Sequence, residues 1–359
     1  MNTHFKRHAA LLALAAIGFA GTARAQSAAD IAQAKTEGSV VIYSATDQKQ
    51  IAPLIKDFEA LYPGVAVEYH DMNSTELYNR FISESAAGAS ADVMWSSAMD
   101  LQVKLVNDGY ALAYKLGDSS KLPDWSIWKN EAYGTTYEPI GFVYNKRLVD
   151  AADVPKTHAD FAKLLAAKPD KFKGKVTTYD PEKSGVGFLF HSQDALTNNA
   201  GFWDVAKAMG STGVRVQSST GTMMERIGSG ENLIGYNLLG SYALMRAARD
   251  PSIGVSFPTD YTLVISRVMF IAKNAKHPAA AKVWLEYVLS QRGQTVIASQ
   301  ADLFAIRSDV KGDTTISGLQ ERLGNALKPV AIGPGLLTYL DQAKRLEFLK
   351  QWNSVKAPK

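Results

Sequence analysis

The stretch VVIYSATDQKQIAPLIKDFEALYPGVAVEYH, residues 40–70, carries the reading that decides the fold. Val40-Val41-Ile42-Tyr43 is a short run of β-branched and aromatic residues, which predicts a strand. A small polar turn follows, Ser44-Ala45-Thr46-Asp47, and Asp47 with Gln50 has the spacing of a capping box. Ile51, Leu54, Ile55, Phe58, Leu61 and Tyr62 then recur at helical spacing, and Pro63-Gly64 stops that helix. Val65, Val67 and Tyr69 alternate on one face up to His70, which predicts a second strand. Strand, helix and strand in this order make two parallel neighbours joined by a crossover helix.

Outward from this unit the alternation continues. Asn73 and Glu76 form a second capping box, with Leu77, Phe81 and Ile82 as its helical stripe. Residues 91–95 read as a third strand, and a helix through Leu101 and Leu105 follows. Such alternation implies a parallel sheet covered on both faces. In such sheets ligands bind beyond the carboxyl ends of the strands. Those ends are residues 44–47, 71–75 and 96–97, all small polar loops that open helices.

Residues 139–145 form a lone apolar strand leading into a new series, read as a crossing to a second lobe. Thr157 starts a helix through Phe161, Leu164 and Leu165. A strand at 175–179 turns at Asp180-Pro181, and Ser184-Gly185-Val186-Gly187 opens another helix. Strands at 214–216 and 233–236 end in polar positions, Ser218 to Thr222 and Asn237. Residues 261–271 are a second long strand, the return crossing. Ala281, Trp284, Leu285, Val288 and Leu289 mark a helix packing on the first lobe. The expected division is a leader at 1–25, first lobe at 26–140, second lobe at 141–260 and return at 261–310. The helical tail, 311–359, stays open as to lobe. The fold class expected is α/β, two lobes joined by two crossing strands.

Lys6, Arg7 and His8, an apolar run at 9–20 and Ala23-Arg24-Ala25 have the order of a cleaved secretory leader, with the mature chain starting at Gln26. The expected location is the periplasm. The apolar run is too short to span a bilayer, and Arg267 interrupts the next most apolar segment. The chain has 0 Cys, which removes disulfides, thiolate metal sites and cysteine nucleophiles. Its formal charge of +4 falls close to zero once Lys6, Arg7 and Arg24 leave with the leader. With no basic run, nucleic acid is not an expected partner. The sequence lacks G-x-S-x-G, H-E-x-x-H, P-loop and dinucleotide motifs, so no enzyme class is indicated. His70, His158, His191 and His277 share no metal-ligand spacing.

Four segments carry a family resemblance: residues 40–43 with their polar turn, ISESAAGASADVMWSS (82–97), YEPIGFVYNKRLV (137–149) and ISRVMFIAKNAKHPAAAKVWLEYVLSQRGQ (265–294). Together they resemble the extracellular solute-binding proteins of ABC importers, in the cluster that holds ferric-ion binders and binders of phosphorylated or phosphonate solutes. The resemblance implies a type II periplasmic-binding fold with the ligand between two lobes. It also implies a small-molecule solute and an inner-membrane permease as partners, a monomer, and neither cofactor nor membrane insertion.

The ferric pattern of that cluster places an acidic residue or His at Asp47, a Glu where Ser97 stands, and a tyrosine pair near Leu238-Leu239. Only Asp47 matches, with Tyr236 and Tyr242 as isolated phenols, so an iron site would rest on Asp47, Tyr236 and Tyr242. What remains is hydroxyls, amides and glycines at helix-opening loops, a cradle suited to phosphate, phosphonate or carboxylate. The candidate contacts are Ser44, Thr46, Asp47, Ser74 and Ser97 in the first lobe. In the second they are Tyr179, Ser184, Gly185, Ser219, Tyr236 and Asn237. Arg267, the one charge in the return strand, either grips the anion or pairs with an acid at the hinge. A sensor subunit for a membrane histidine kinase would share this fold.

Overall fold

The computed structural model describes residues 28–356. The leader, its cleavage position and the last three residues lie outside them. Two sheets organise the chain. In the first, the strands Ala66–Asp71, Ser39–Ser44 and Val93–Ser96 are parallel neighbours, as the opening alternation predicts. Val268–Ile271 then pairs antiparallel with Val93–Ser96, and the short strands Ala132–Gly134 and Ile127–Trp128 complete the sheet. The sheet is therefore mixed where the sequence predicts parallel, because the returning chain enters it from the opposite end.

The core of this lobe follows the helical stripe read from the sequence. Ile51, Leu54 and Phe58 are fully buried. Phe58 meets Trp284 edge-on at 5.0 Å, and Trp284 meets Trp95 at 6.4 Å. Trp284 lies on the helix Pro278–Leu289, which packs on the first lobe as expected.

In the second sheet Glu138–Asn145 is central. It pairs antiparallel with Ile234–Leu239, Ile253–Ser256 and Thr262–Ile265. Val176–Tyr179 and Arg215–Gln217 extend the sheet in parallel beyond Ile234–Leu239. Ala132–Gly134 belongs to the first sheet and Glu138–Asn145 to the second, so the first passage falls between them. Thr262–Ile265 belongs to the second sheet and Val268–Ile271 to the first, so the long strand breaks at Ser266-Arg267.

The tail makes a further passage. Leu319, on the helix Ile316–Leu323, packs in the first-lobe core. Phe348 and Trp352, on the helix Gln342–Lys356, pack in the second-lobe core, where Trp352 stacks on His191 at 4.7 Å. Leu327–Pro329 pairs with Thr262–Ile265 on the way. The terminal helix thus clamps the second lobe, an assignment its polar, weakly patterned sequence did not reveal.

Candidate functional site

The strand ends meet in a cleft of about 430 Å³ between the lobes. Among the described residues six helices begin at its walls: Gln48–Leu61, Ser74–Ala86, Met99–Asn107, Gly185–Thr197, Thr220–Gly228 and Gly240–Arg249. Each start brings the partial positive charge of its helix to the cleft, although several of the first N–H groups are already bonded, those of Gln48, Gly185 and Val186 among them. Asn73, Ser184 and Ser219 cap their own helices through the side chain. The helices at Gln48, Met99 and Gly240 have no side-chain cap. Asp47 stands at the N-cap position its spacing suggests, but its side chain makes no capping hydrogen bond. The N–H of Gln48 instead donates to Asp71 Oδ2 at 2.9 Å.

The cleft brings together Thr46, Asp47, Ser74, Ser97, Tyr179, Ser219 and Tyr242 of the residues singled out from the sequence. Asp71, Ser218, Thr220 and Gly221 join them. All four stand where a strand ends or the following helix begins, so position relative to the strand was the signal for them. Ser97 is 3 % exposed, and its hydroxyl has no partner among the described residues. Tyr242 Oη accepts from the Asp47 N–H at 3.4 Å, and Tyr179 shares a short hydrogen bond with the Thr220 hydroxyl. Burial pushes both phenols well above the ordinary tyrosine range, so both stay protonated at neutral pH. Asp47 and Asp71 are the charged residues lining the cleft; among the described residues no Lys or Arg lines it.

Six expected contacts stand elsewhere. Ser44 turns its own loop, accepting from the Thr46 N–H at 3.1 Å. Ser184 is spent on its cap, accepting from Gly187 N at 3.2 Å. The N–H of Gly185 donates across the lobes to Thr75 Oγ1 at 3.0 Å, and that of Val186 to Ser74 Oγ at 3.2 Å. A Cβ on Gly185 would meet Leu101 Cδ1 at 2.8 Å, so this glycine permits the lobes to approach. Tyr236 and Asn237 do not end their strand, which runs on to Leu239. Tyr236 donates to Asp194 Oδ2 at 2.6 Å inside the second-lobe core, and Asn237 Nδ2 donates to the same oxygen. Asn237 holds a φ of 59°, and the partner strand shifts register between Gly141 and Val143. That irregularity rotates the strand end and breaks the simple alternation from which their direction was inferred.

Arg267 is the sixth. It is fully buried at the strand break. Its Nε donates to Glu138 Oε1 at 2.8 Å, a second nitrogen donates to Glu138 Oε2 at 3.2 Å, and the third donates to Thr46 Oγ1 at 2.8 Å. Burial works against its charge, but Glu138 overcomes this and holds the guanidinium protonated. Of the two roles read from the sequence, the geometry matches the pairing with a hinge acid. The missed residue was Glu138, and the signal was available: a guanidinium in an apolar strand needs a buried acid.

A wider groove of about 780 Å³ adjoins the cleft at Asp47. Of the charged side chains that line it, Arg246 pairs with Asp250 and Arg249 with Asp302, each at 3.2 Å, while Asp47 and Lys49 also border it. No strand ends converge there, so the smaller cleft is the candidate site. Among the described residues no group of three or more His, Cys, Asp or Glu side chains is arranged to hold a metal. The iron set read from the sequence is not assembled, since Asp47 and Tyr242 meet but Tyr236 is turned into the lobe. No described helix is long and apolar enough to cross a membrane.

Residues 53–317 match the model of a family described as bacterial extracellular solute-binding protein. No curated protein matches the chain. Among solved structures, the chain is similar to the substrate binding protein of an ABC transporter from Agrobacterium tumefaciens, with 41% identity and a TM-score of 0.84 over 89% of this chain and 94% of that one. It shares its fold with iron-bound HitA from Pseudomonas aeruginosa, at 19% identity and TM-score 0.68 over 88% of this chain and 99% of that one. The same holds for AfuA from Actinobacillus pleuropneumoniae, solved with fructose-6-phosphate, at 18% identity and TM-score 0.72 over 88% and 98%.

Proposed function

The chain belongs to the bacterial extracellular solute-binding proteins, and from that premise we propose that its cleft captures a small anionic solute, a phosphate ester, phosphonate or carboxylate, for an ABC importer. The family binds solutes and does not catalyse. The observation that carries the anion reading is the convergence of six helix N-termini on one cleft with no lining cation. Fixed backbone dipoles and hydroxyls, with Ser97 unpartnered, recognise an anion without burying an ammonium. Asp47 and Asp71 would face the donors of the solute, its hydroxyls or an amine, and disfavour a bare anion.

Capture follows from the two-lobed build. A solute that touches Thr46, Ser97 and Asp71 on one wall and Ser219 and Thr220 on the other gains its full contacts only when the lobes are closed. It therefore shifts the population toward closure, and a permease reads the closed outline. The leader places the mature protein in the periplasm, with cleavage after Ala25; intact-mass measurement of periplasmic material checks this.

The reading is tested by a thermal-shift panel of phosphate esters, phosphonates, carboxylates and ferric citrate. A binder at a hundred times its dissociation constant should stabilise the protein by about 2.7 kcal/mol. An anion is expected to do so, and ferric citrate to give neither a shift nor a visible tyrosinate charge-transfer band. A shift with ferric citrate accompanied by that band, and none with iron-free citrate, would replace the anion by iron.

A further inference from the structure

We infer that Glu138 and Arg267 are positioning residues of the solute site, acting through the Thr46 hydroxyl at the cleft floor. The inference rests on the cleft being where the solute binds. Neither residue lines the cleft, and both are fully buried. They sit one on each crossing segment, at the point where the chain passes between lobes. Thr136, two residues before Glu138, donates its hydroxyl to Glu138 Oε1 at 2.8 Å and accepts the Arg267 N–H at 2.9 Å. The two crossings are thereby locked to one another.

From this lock, contacts run to both walls. Toward the first lobe, Arg267 donates to Thr46 Oγ1, while Tyr69 Oη donates to the Thr46 carbonyl at 2.8 Å. Thr46 is held from two sides and, itself fully buried, lies directly at the cleft lining. Toward the second lobe, the Ser241 hydroxyl donates to Glu138 Oε2, which fixes the start of the helix Gly240–Arg249. The same helix carries Tyr242, whose ring centroid lies 5.3 Å from the Arg267 guanidinium carbon, in cation–π range. A buried ion pair adds little stability over apolar side chains of the same size. Its planar fork does what such side chains cannot: it holds a carboxylate with two nitrogens and aims the third at Thr46.

The test is a double-mutant cycle of Glu138→Gln and Thr46→Val, read by calorimetry with fructose 6-phosphate as probe. In the wild-type background Glu138→Gln is expected to weaken binding at least tenfold; in the Thr46→Val background it should add less than a twofold loss. An effect within twofold in the first background, or equal factors in both, overturns the inference, since a merely structural residue would act independently of Thr46. If the wild type does not bind fructose 6-phosphate, the strongest anion of the thermal-shift panel takes its place; if no anion of the panel binds, the anion reading has failed, and the pair is judged without ligand. The chain has 0 Cys, so Glu76→Cys and Glu225→Cys give two unique spin-label sites, one per lobe. Glu138→Gln should then broaden the interlobe distance distribution, and an unchanged distribution overturns the inference. Should Glu138→Gln not fold, Glu138→Leu combined with Arg267→Met leaves no unpaired charge, takes its place and carries the same expected outcomes.

Discussion

Arg267 shows how burial decides a residue's role. A guanidinium in an apolar strand must be matched, and here Glu138 matches it inside the protein. Arg267→Ala leaves that carboxylate uncompensated, which typically costs about 3–5 kcal/mol. Denaturant unfolding should show a loss of that size; a variant that unfolds normally and only loses solute binding would return Arg267 to the cleft. Asp100 gives a second residue-scale test. It is 3 % exposed, and burial raises its carboxyl to about 7. Below about pH 4 it is neutral in both folded and unfolded chains and costs nothing. Between about pH 4 and pH 7 the unfolded chain ionises first, so the folded state is progressively disfavoured. Asp100→Asn removes this penalty. Its stability relative to wild type should rise over that window, by at most about 4 kcal/mol for three pKa units. A difference that is flat from pH 4 to pH 7 would show that Asp100 ionises freely in the folded protein.

Among the elements, the helix Gly185–Thr197 most directly links packing to the site. A Cβ on Gly187 would fall 2.4 Å from Tyr179 Cβ, far inside contact distance. Gly187→Ala should push the helix off the strand that carries Tyr179, costing about 1–3 kcal/mol as overpacking does, and weaken solute binding as well. Unchanged melting and binding would show that Tyr179 is not held by this contact. Element starts were also the most legible part of the site. Thr46, Asp47, Ser74, Ser97 and Ser219 were found because a strand end followed by a capping residue marks both a helix start and the ligand side of such a sheet. Tyr236 and Asn237 were misplaced because their direction depends on the left-handed Asn237 and the register shift beside it. Neither leaves a trace in hydrophobic periodicity. Ser184 and Gly185 were correctly seen at a helix start, but tertiary contact had already claimed the groups that a ligand would need.

Across the whole molecule, the periodicity of residues 40–105 and the two apolar crossings were enough to read a two-lobed α/β clamp. The mixed character of the first sheet and the docking of the last helix were not readable, because both depend on contacts distant in sequence. The lobes touch through hydrogen bonds from Gly185 and Val186 to Thr75 and Ser74 and from Asp47 to Tyr242, through the exposed pair Arg249–Asp302, and through one buried apolar cluster that joins Leu77 and Met99 to Val186 and Leu189. Such an exposed pair contributes only about 0–1 kcal/mol.

The central claim is that helix N-termini in this cleft hold an anion. Gly221 lies at the start of the helix Thr220–Gly228 on the cleft wall, with no neighbouring atom nearer to an added Cβ than Ser219 Oγ at 4.0 Å. An aspartate there suits the helix dipole, so the fold should be preserved, while its carboxylate occupies the place proposed for the solute. Calorimetric titration of wild type and Gly221→Asp with the strongest anion of the panel, alongside their melting curves, is the most direct measurement. The account predicts at least a tenfold loss of affinity with no fall in melting temperature; unchanged or tighter binding in Gly221→Asp would contradict it.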